Sequence, residues 1–151
     1  MTLAQLFVYG TLRPEASDLL GRRARDRLAR ESTLIGAAAT SGRLYDLGQY
    51  PGLWAGGGGR NEVTGYVIKL AKPSLTFAWL DRYEGNEYAR QRRPVALETG
   101  GSMVAWVYML RRKPAARVID NGDWLDLTGG RSSALTHRAS SQPRRRHRSR
   151  I

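Results

Sequence analysis

Cysteine is absent from the 151 residues, and histidine is absent from the first 128, since His137 and His147 both fall near the C-terminus. The missing thiols exclude disulfides, thiolate nucleophiles and cysteine-based zinc sites, and they suit a reducing compartment, so a cytoplasmic location is expected. The missing imidazoles exclude a Ser-His-Asp triad, a histidine metal site and an imidazole base, unless the C-terminal segment folds back. Lysine is scarce too, with only Lys69, Lys72 and Lys113. A general base in the first 128 residues must therefore be Asp, Glu, Tyr or one of these three lysines. No apolar run approaches the roughly 18 residues that cross a bilayer. The N-terminus also lacks the basic start and long apolar core of a signal peptide, so no membrane contact is expected.

What is present is uneven. Of the net charge of +12, seven units come from arginines in residues 129–151, a segment without a single acid, leaving +5 on the rest. The charge thus describes that segment more than any active site. Its Ser, Arg, Thr and Pro content offers almost nothing to bury, and disorder is expected there. The remaining residues 1–128 fit one domain, and four Trp with seven Tyr supply amphipathic rings for a core or a pocket.

Leu3 to Tyr9 reads as a first strand. Pro14 opens a helical stretch through Ala29, with Glu15 and Asp18 in its first turn and Leu19, Leu20, Ala24 and Leu28 on one face. Its arginines 22, 23, 25, 27 and 30 read as a solvated face. Thr33 to Leu47 forms one or two strands, and residues 48–52 form a turn. The glycines at 56–59 do not make a phosphate cradle, because no Gly-Lys-Ser/Thr follows. Glu62 to Leu70 alternates as a strand. Pro73 starts a short helix with Leu75, Trp79 and Tyr83 spaced by four, Leu80 joining Phe77 at a spacing of three, and Gly85 as its stop. Tyr88 to Glu98 and Ser102 to Arg111 form a hairpin around Thr99-Gly100-Gly101. Asn121-Gly122-Asp123-Trp124 is a final turn. Strands outnumber helices, which predicts an α+β domain with a curled, barrel-like sheet.

Two segments could carry chemistry. The apolar strand Leu6-Phe7-Val8 ends at Tyr9-Gly10-Thr11-Leu12, where glycine lets the backbone turn sharply and approach a ligand, and peptide N–H groups leave the ladder. An ordinary strand-to-loop turn is the alternative. Thr11 as nucleophile is discounted, having no histidine to activate it. In Leu80-Asp81-Arg82-Tyr83-Glu84-Gly85, Glu84 occupies a helix C-terminus, whose partial negative charge disfavours a carboxylate. Asp81 can add like-charge repulsion, and Trp79, Tyr83 and Tyr88 a low-dielectric wall. Each pushes the Glu84 carboxyl up toward the range of a neutral-pH proton shuttle. The alternative is a surface glutamate paired with Arg82 or Arg90.

Taken in order, Tyr9-Gly10-Thr11-Leu12, Gly42 to Gly48 with Tyr50-Pro51-Gly52, Gly65-Tyr66-Val67, the segment around Glu84 with Tyr88 and Arg90, and Gly122-Asp123-Trp124 resemble the gamma-glutamylcyclotransferase-like superfamily. The branch is that of AIG2-like and gamma-glutamylamine cyclotransferase proteins, and the resemblance spans roughly residues 5–125. It implies a compact mixed β-barrel with inserted helices, no metal and no cofactor. It also implies a loop of Tyr9, Gly10, Thr11 and Leu12 that binds the glutamyl part of a small gamma-glutamyl amine, and Glu84 as acid/base residue. The implied reaction closes 5-oxoproline and frees an amine. Tyr88 and Arg90 are candidate substrate contacts or, equally, packing residues. Arg13 is open between a carboxylate partner and a surface residue. The competing reading is a non-catalytic small-ligand module of the same fold, with nonspecific polyanion contact through the Arg-rich segment. The expected assembly is a monomer or weak dimer.

Overall fold

The fold is given by a computed structural model that describes residues 3–17, 19, 21–56 and 61–125. In chain order its elements are β1 (Gln5–Val8), α1 (Arg22–Arg30), β2 (Ser32–Ser41), β3 (Arg43–Asp46), β4 (Pro51–Trp54), β5 (Glu62–Leu70), α2 (Pro73–Glu84), β6 (Tyr88–Leu97), β7 (Ser102–Leu110) and β8 (Arg117–Val118). Strands pair in the order β1-β5-β2-β6-β7, and β1 then pairs with β7, so five strands close on themselves. The remaining three extend the sheet from β7 as β4-β3-β8. The architecture is the expected α+β barrel with inserted helices.

Closure depends on β1. It runs antiparallel to β5 and parallel to β7, where Leu6 faces Trp106. Leu6, Phe7, Val8 and Tyr9 are all fully buried. A run apolar on both faces is what a strand in a closed, covered sheet needs. Gly65 on β5 permits the close approach: a Cβ there would lie 2.2 Å from the Val8 carbonyl oxygen. The opposite edge of β7 carries β6 in a long antiparallel ladder from Tyr88–Leu110 to Ala96–Ser102. The hairpin turn at Gly100 and Gly101 has positive φ at both glycines, as its tightness requires.

Four expectations are corrected. The first helix begins at Arg22, not Pro14. Pro14 instead sits in two successive turns closed by Arg13 N–H on the Gly10 carbonyl (3.1 Å) and Ala16 N–H on the Arg13 carbonyl (3.0 Å). Asp18 and Leu20 lie outside the described residues. The arginines of α1 are not one solvated face, because Arg25 is buried beside Ala24 and Leu28. Pro51 and Gly52 belong to β4 rather than to a turn. The stripe on α2 differs in part: Phe77 and Leu80 are buried as expected, but Leu75 is 63% exposed, and Thr76 and Glu84 also face inward. The glycines at 57–59 and the segment 129–151 lie outside the described residues. Among the described residues, no helix is long and apolar enough to cross a membrane.

Candidate functional site

Tyr9 lies just past β1, where β1 and β4 share one edge of β7: Leu6 faces Trp106, and Leu53 of β4 faces Met109. Between the two partners, ladder groups on β7 and β4 would be left without strand pairing. The Tyr9 hydroxyl fills the fork. It donates to the Tyr108 carbonyl (2.6 Å) and accepts from the Leu53 N–H (3.1 Å). Burial first, and then the charge of Glu84, push this phenol well above its usual range, against the opposing bond from Leu53. The side chain of Tyr9 thus joins three strands, leaving its main chain and the residues after it for a ligand.

The loop that follows is buried and held from behind. Gly10, Thr11 and Leu12 are all inaccessible, and Arg25 from α1 donates to the Thr11 carbonyl (2.8 Å). Among the described residues, the N–H groups of Gly10 and Leu12 donate to no backbone carbonyl. Sequence reasoning missed Arg25, whose neighbours in an arginine-rich helix masked it. Its spacing from Leu28 and Ala24 was the available signal. Arg13 is also buried, forked between Glu15 and Asp123 at 2.7 Å each. Those carboxylates outweigh the desolvation that works against its charge. Both charges it could meet are therefore already supplied by the chain.

Glu84 ends α2 with 0% exposure. Gly85, at φ +79, stops the helix and returns its N–H to the Asp81 carbonyl. Three phenols feel the charge of Glu84. Tyr88 is pushed well up, by burial first, then by Tyr9 and Glu84. Tyr108 is raised by burial, by its bond to Asp81, by the Asp81 charge and by Glu84, with Arg90 opposing. Each phenol has a single proton, and each places it elsewhere: Tyr9 on the Tyr108 carbonyl, Tyr88 on the Pro51 carbonyl (2.7 Å) and Tyr108 on Asp81 (2.6 Å). None of these three phenols therefore spends its proton on Glu84.

Asp81 is not the bare repelling charge expected. Arg90 meets it with two bonds (2.9 and 3.1 Å), and Tyr108 adds a third. The Arg90 guanidinium also lies over the rings of Phe77 (3.8 Å) and Trp106 (4.5 Å). Trp79 and Tyr83 meet edge to face, and Trp79 donates to Glu31. A cleft of about 410 Å³ behind the loop is lined by Leu12, Arg25 and Leu28 among others, and Glu84 does not line it. Among the described residues, no group of three or more His, Cys, Asp or Glu side chains is placed to hold a metal ion.

Comparison with known proteins places the fold and the family. The family described as "Gamma-glutamyl cyclotransferase, AIG2-like" matches residues 6–126. The gamma-glutamylcyclotransferase family protein YtfP of Escherichia coli (strain K12) is 35% identical over 127 residues, covering 81% of this chain and 96% of that protein. The crystal structure of YkqA from Bacillus subtilis superposes with a TM-score of 0.69 at 25% identity, over 87% of this chain and 43% of that one. An AIG2-like protein from Mus musculus shares the fold, with a TM-score of 0.60 at 23% identity over 76% of this chain and 82% of that one.

Proposed function

The chain belongs to the AIG2-like gamma-glutamyl cyclotransferase family, and from that premise we propose that it converts a gamma-glutamyl amide into 5-oxoproline and a free amine, with Glu84 carrying the proton. The main chain of Tyr9, Gly10, Thr11 and Leu12 holds the glutamyl part, its α-carboxylate on the N–H groups after β1. Glu84 takes a proton from the α-ammonium. The freed amine attacks its own γ-carbonyl carbon, a five-membered lactam closes, and the bond to the departing nitrogen breaks. Glu84 returns the proton to that nitrogen, and the second proton shed by the ring nitrogen on closure follows to it, so that the amine leaves as an ammonium. No external nucleophile enters, which suits a chain without cysteine. Tyr88 walls the site, and Arg90 acts from the α2 side through Asp81 rather than on the substrate.

The observation that supports this reading is the position of Glu84: fully buried, at the negative end of a helix, beside three phenols that do not donate to it. Burial and the helix end both weaken the charged form, the condition for a carboxyl that must accept and release a proton near neutrality. The rest of the catalysis is conformational, a folding of the glutamyl chain until amine and carbonyl meet.

The test is production of 5-oxoproline from a panel of gamma-glutamyl amines. Glu84→Gln is expected to lower kcat by about 10² to 10⁴, the range typical of a positioned proton carrier, without loss of fold. A blank with the wild type across diverse amines would favour a binding module instead. The seven arginines of 129–151 support a separate role, salt-sensitive contact with polyanions. Truncation after residue 128 is expected to abolish retention on heparin and leave 5-oxoproline formation unchanged.

A further inference from the structure

We propose that Asp81, Arg90 and Tyr108 form a clamp that positions Glu84 against the loop of residues 9–12, and that the paired charges of Asp81 and Arg90 set the field in which Glu84 works. This rests on the reading of Glu84 given above.

The geometry begins with register. Arg90 on β6 and Tyr108 on β7 are direct cross-strand partners, so their side chains leave the ladder together on one face. Both converge on one carboxylate, Asp81, which lies one helical turn before Glu84 on α2. Flanking rows repeat the pattern. One step along β6, Tyr88 lies within the field of Glu84. On the other side, Phe77 packs edge to face on Trp106 at 6.2 Å. The end of α2 is therefore laid along the β6–β7 ladder, with the polar grip at its middle row.

Tyr108 makes this grip reach the substrate loop. Its hydroxyl holds Asp81, while its carbonyl receives the hydroxyl of Tyr9, the residue that opens the loop. Tyr108 thus links the helix bearing Glu84 to the start of the 9–12 segment through two hydrogen bonds. A shift of α2 by a fraction of an ångström would thus be felt by the reacting proton, and misplacement of about 1 Å can cost 10²-fold in rate.

Charge gives the clamp a second consequence. Among the groups within the field of Glu84 are the phenols of Tyr9, Tyr88 and Tyr108, with Asp81 on its own helix and Arg90 paired to Asp81. Arg90 offsets Asp81, so neither full charge acts alone on Glu84. Removing either partner leaves the other uncompensated, with opposite effects on the Glu84 carboxyl.

The experiment compares Asp81→Asn, Arg90→Met and Tyr108→Phe with the full-length wild type, each checked for a native unfolding transition. Asparagine keeps the shape of Asp81, methionine keeps apolar contact over Phe77 and Trp106, and phenylalanine keeps the ring. The first readout is ¹³C NMR titration of glutamate carboxyls, with the Glu84 signal assigned by its loss in Glu84→Gln. Asp81→Asn is expected to lower the Glu84 midpoint and Arg90→Met to raise it. The second readout is steady-state 5-oxoproline formation, where Tyr108→Phe is expected to lower kcat by about 10- to 100-fold with KM within about twofold. Midpoints that move the same way, or not at all, overturn the clamp, as does unchanged kcat in Tyr108→Phe. If the wild type forms no 5-oxoproline, the cyclisation reading fails by itself, and the two midpoints still decide the clamp.

Discussion

Helix α2 carries a buried or half-buried carboxylate at each end, and the two are treated in opposite ways. At its first turns the helix receives Glu31, which follows α1. Thr76 Oγ1 (2.6 Å) and Trp79 Nε1 (3.0 Å) donate to one oxygen, Arg27 (3.0 Å) to the other, and the Arg27 guanidinium also lies over the Trp79 ring at 4.5 Å. Partial burial alone would raise the Glu31 carboxyl, but these donors outweigh it and hold it below its ordinary value. At the last turn, Glu84 is more deeply buried, yet the three hydroxyls in its field donate to other groups. The two carboxylates thus differ in depth and in how nearby hydroxyls turn: the threonine hydroxyl donates to Glu31, whereas the phenols of Tyr9, Tyr88 and Tyr108 donate to groups other than Glu84.

Several measurements would break or sharpen that contrast. The largest expected effect is the loss of turnover in Glu84→Gln, paired with an unfolding midpoint close to that of the wild type, since the amide keeps the shape of the carboxyl. A marked loss of stability would make Glu84 a structural residue like Glu31. Next is Tyr9→Phe, which strips the Tyr108 carbonyl and the Leu53 N–H of their shared partner in a buried place. A loss of about 2 to 4 kcal/mol in urea unfolding is expected. The smallest is Glu31→Gln, about 1 to 2 kcal/mol at pH 7. Its pH dependence has a definite sign. The folded value lies below the ordinary 4.5, so the stabilisation is present above that pH and fades as pH falls through the folded value. The gap between Glu31→Gln and wild type should therefore narrow in unfolding curves below about pH 4.5, whereas a constant gap would assign the effect to shape.

Much of the barrel was legible because its elements obey local rules. Glu62–Leu70 alternates and is β5 residue for residue, and Pro73 with Gly85 brackets α2 as a first-turn proline and a positive-φ stop should. The strand at Pro51–Trp54 was hidden by a Tyr-Pro-Gly run that reads as a turn, and the two-residue β8 is too short to leave a pattern. Closure through Leu6 and Trp106 joins residues a hundred positions apart, and no window of sequence contains it. The same holds at the site. Glu84 and the Tyr9 loop could be named from their motifs, but the burial of Glu84 was obscured because Leu75, Trp79 and Tyr83 offered a more apolar stripe than the true one. Had Thr76, Leu80 and Glu84 been followed at the same spacing, the inward face would have emerged. The roles of Tyr108 and Arg25, even where burial could be read from spacing, were hidden for another reason: both act through carbonyls or carboxylates supplied by distant segments.

One phenol, that of Tyr9, bridges the place where the barrel's edge changes partners. A guest gripped immediately downstream would be fastened to the weld of the whole cylinder. Tightening the guest and tightening the wall then become two readings of a single equilibrium, and whatever loosens the joint must also loosen the grip.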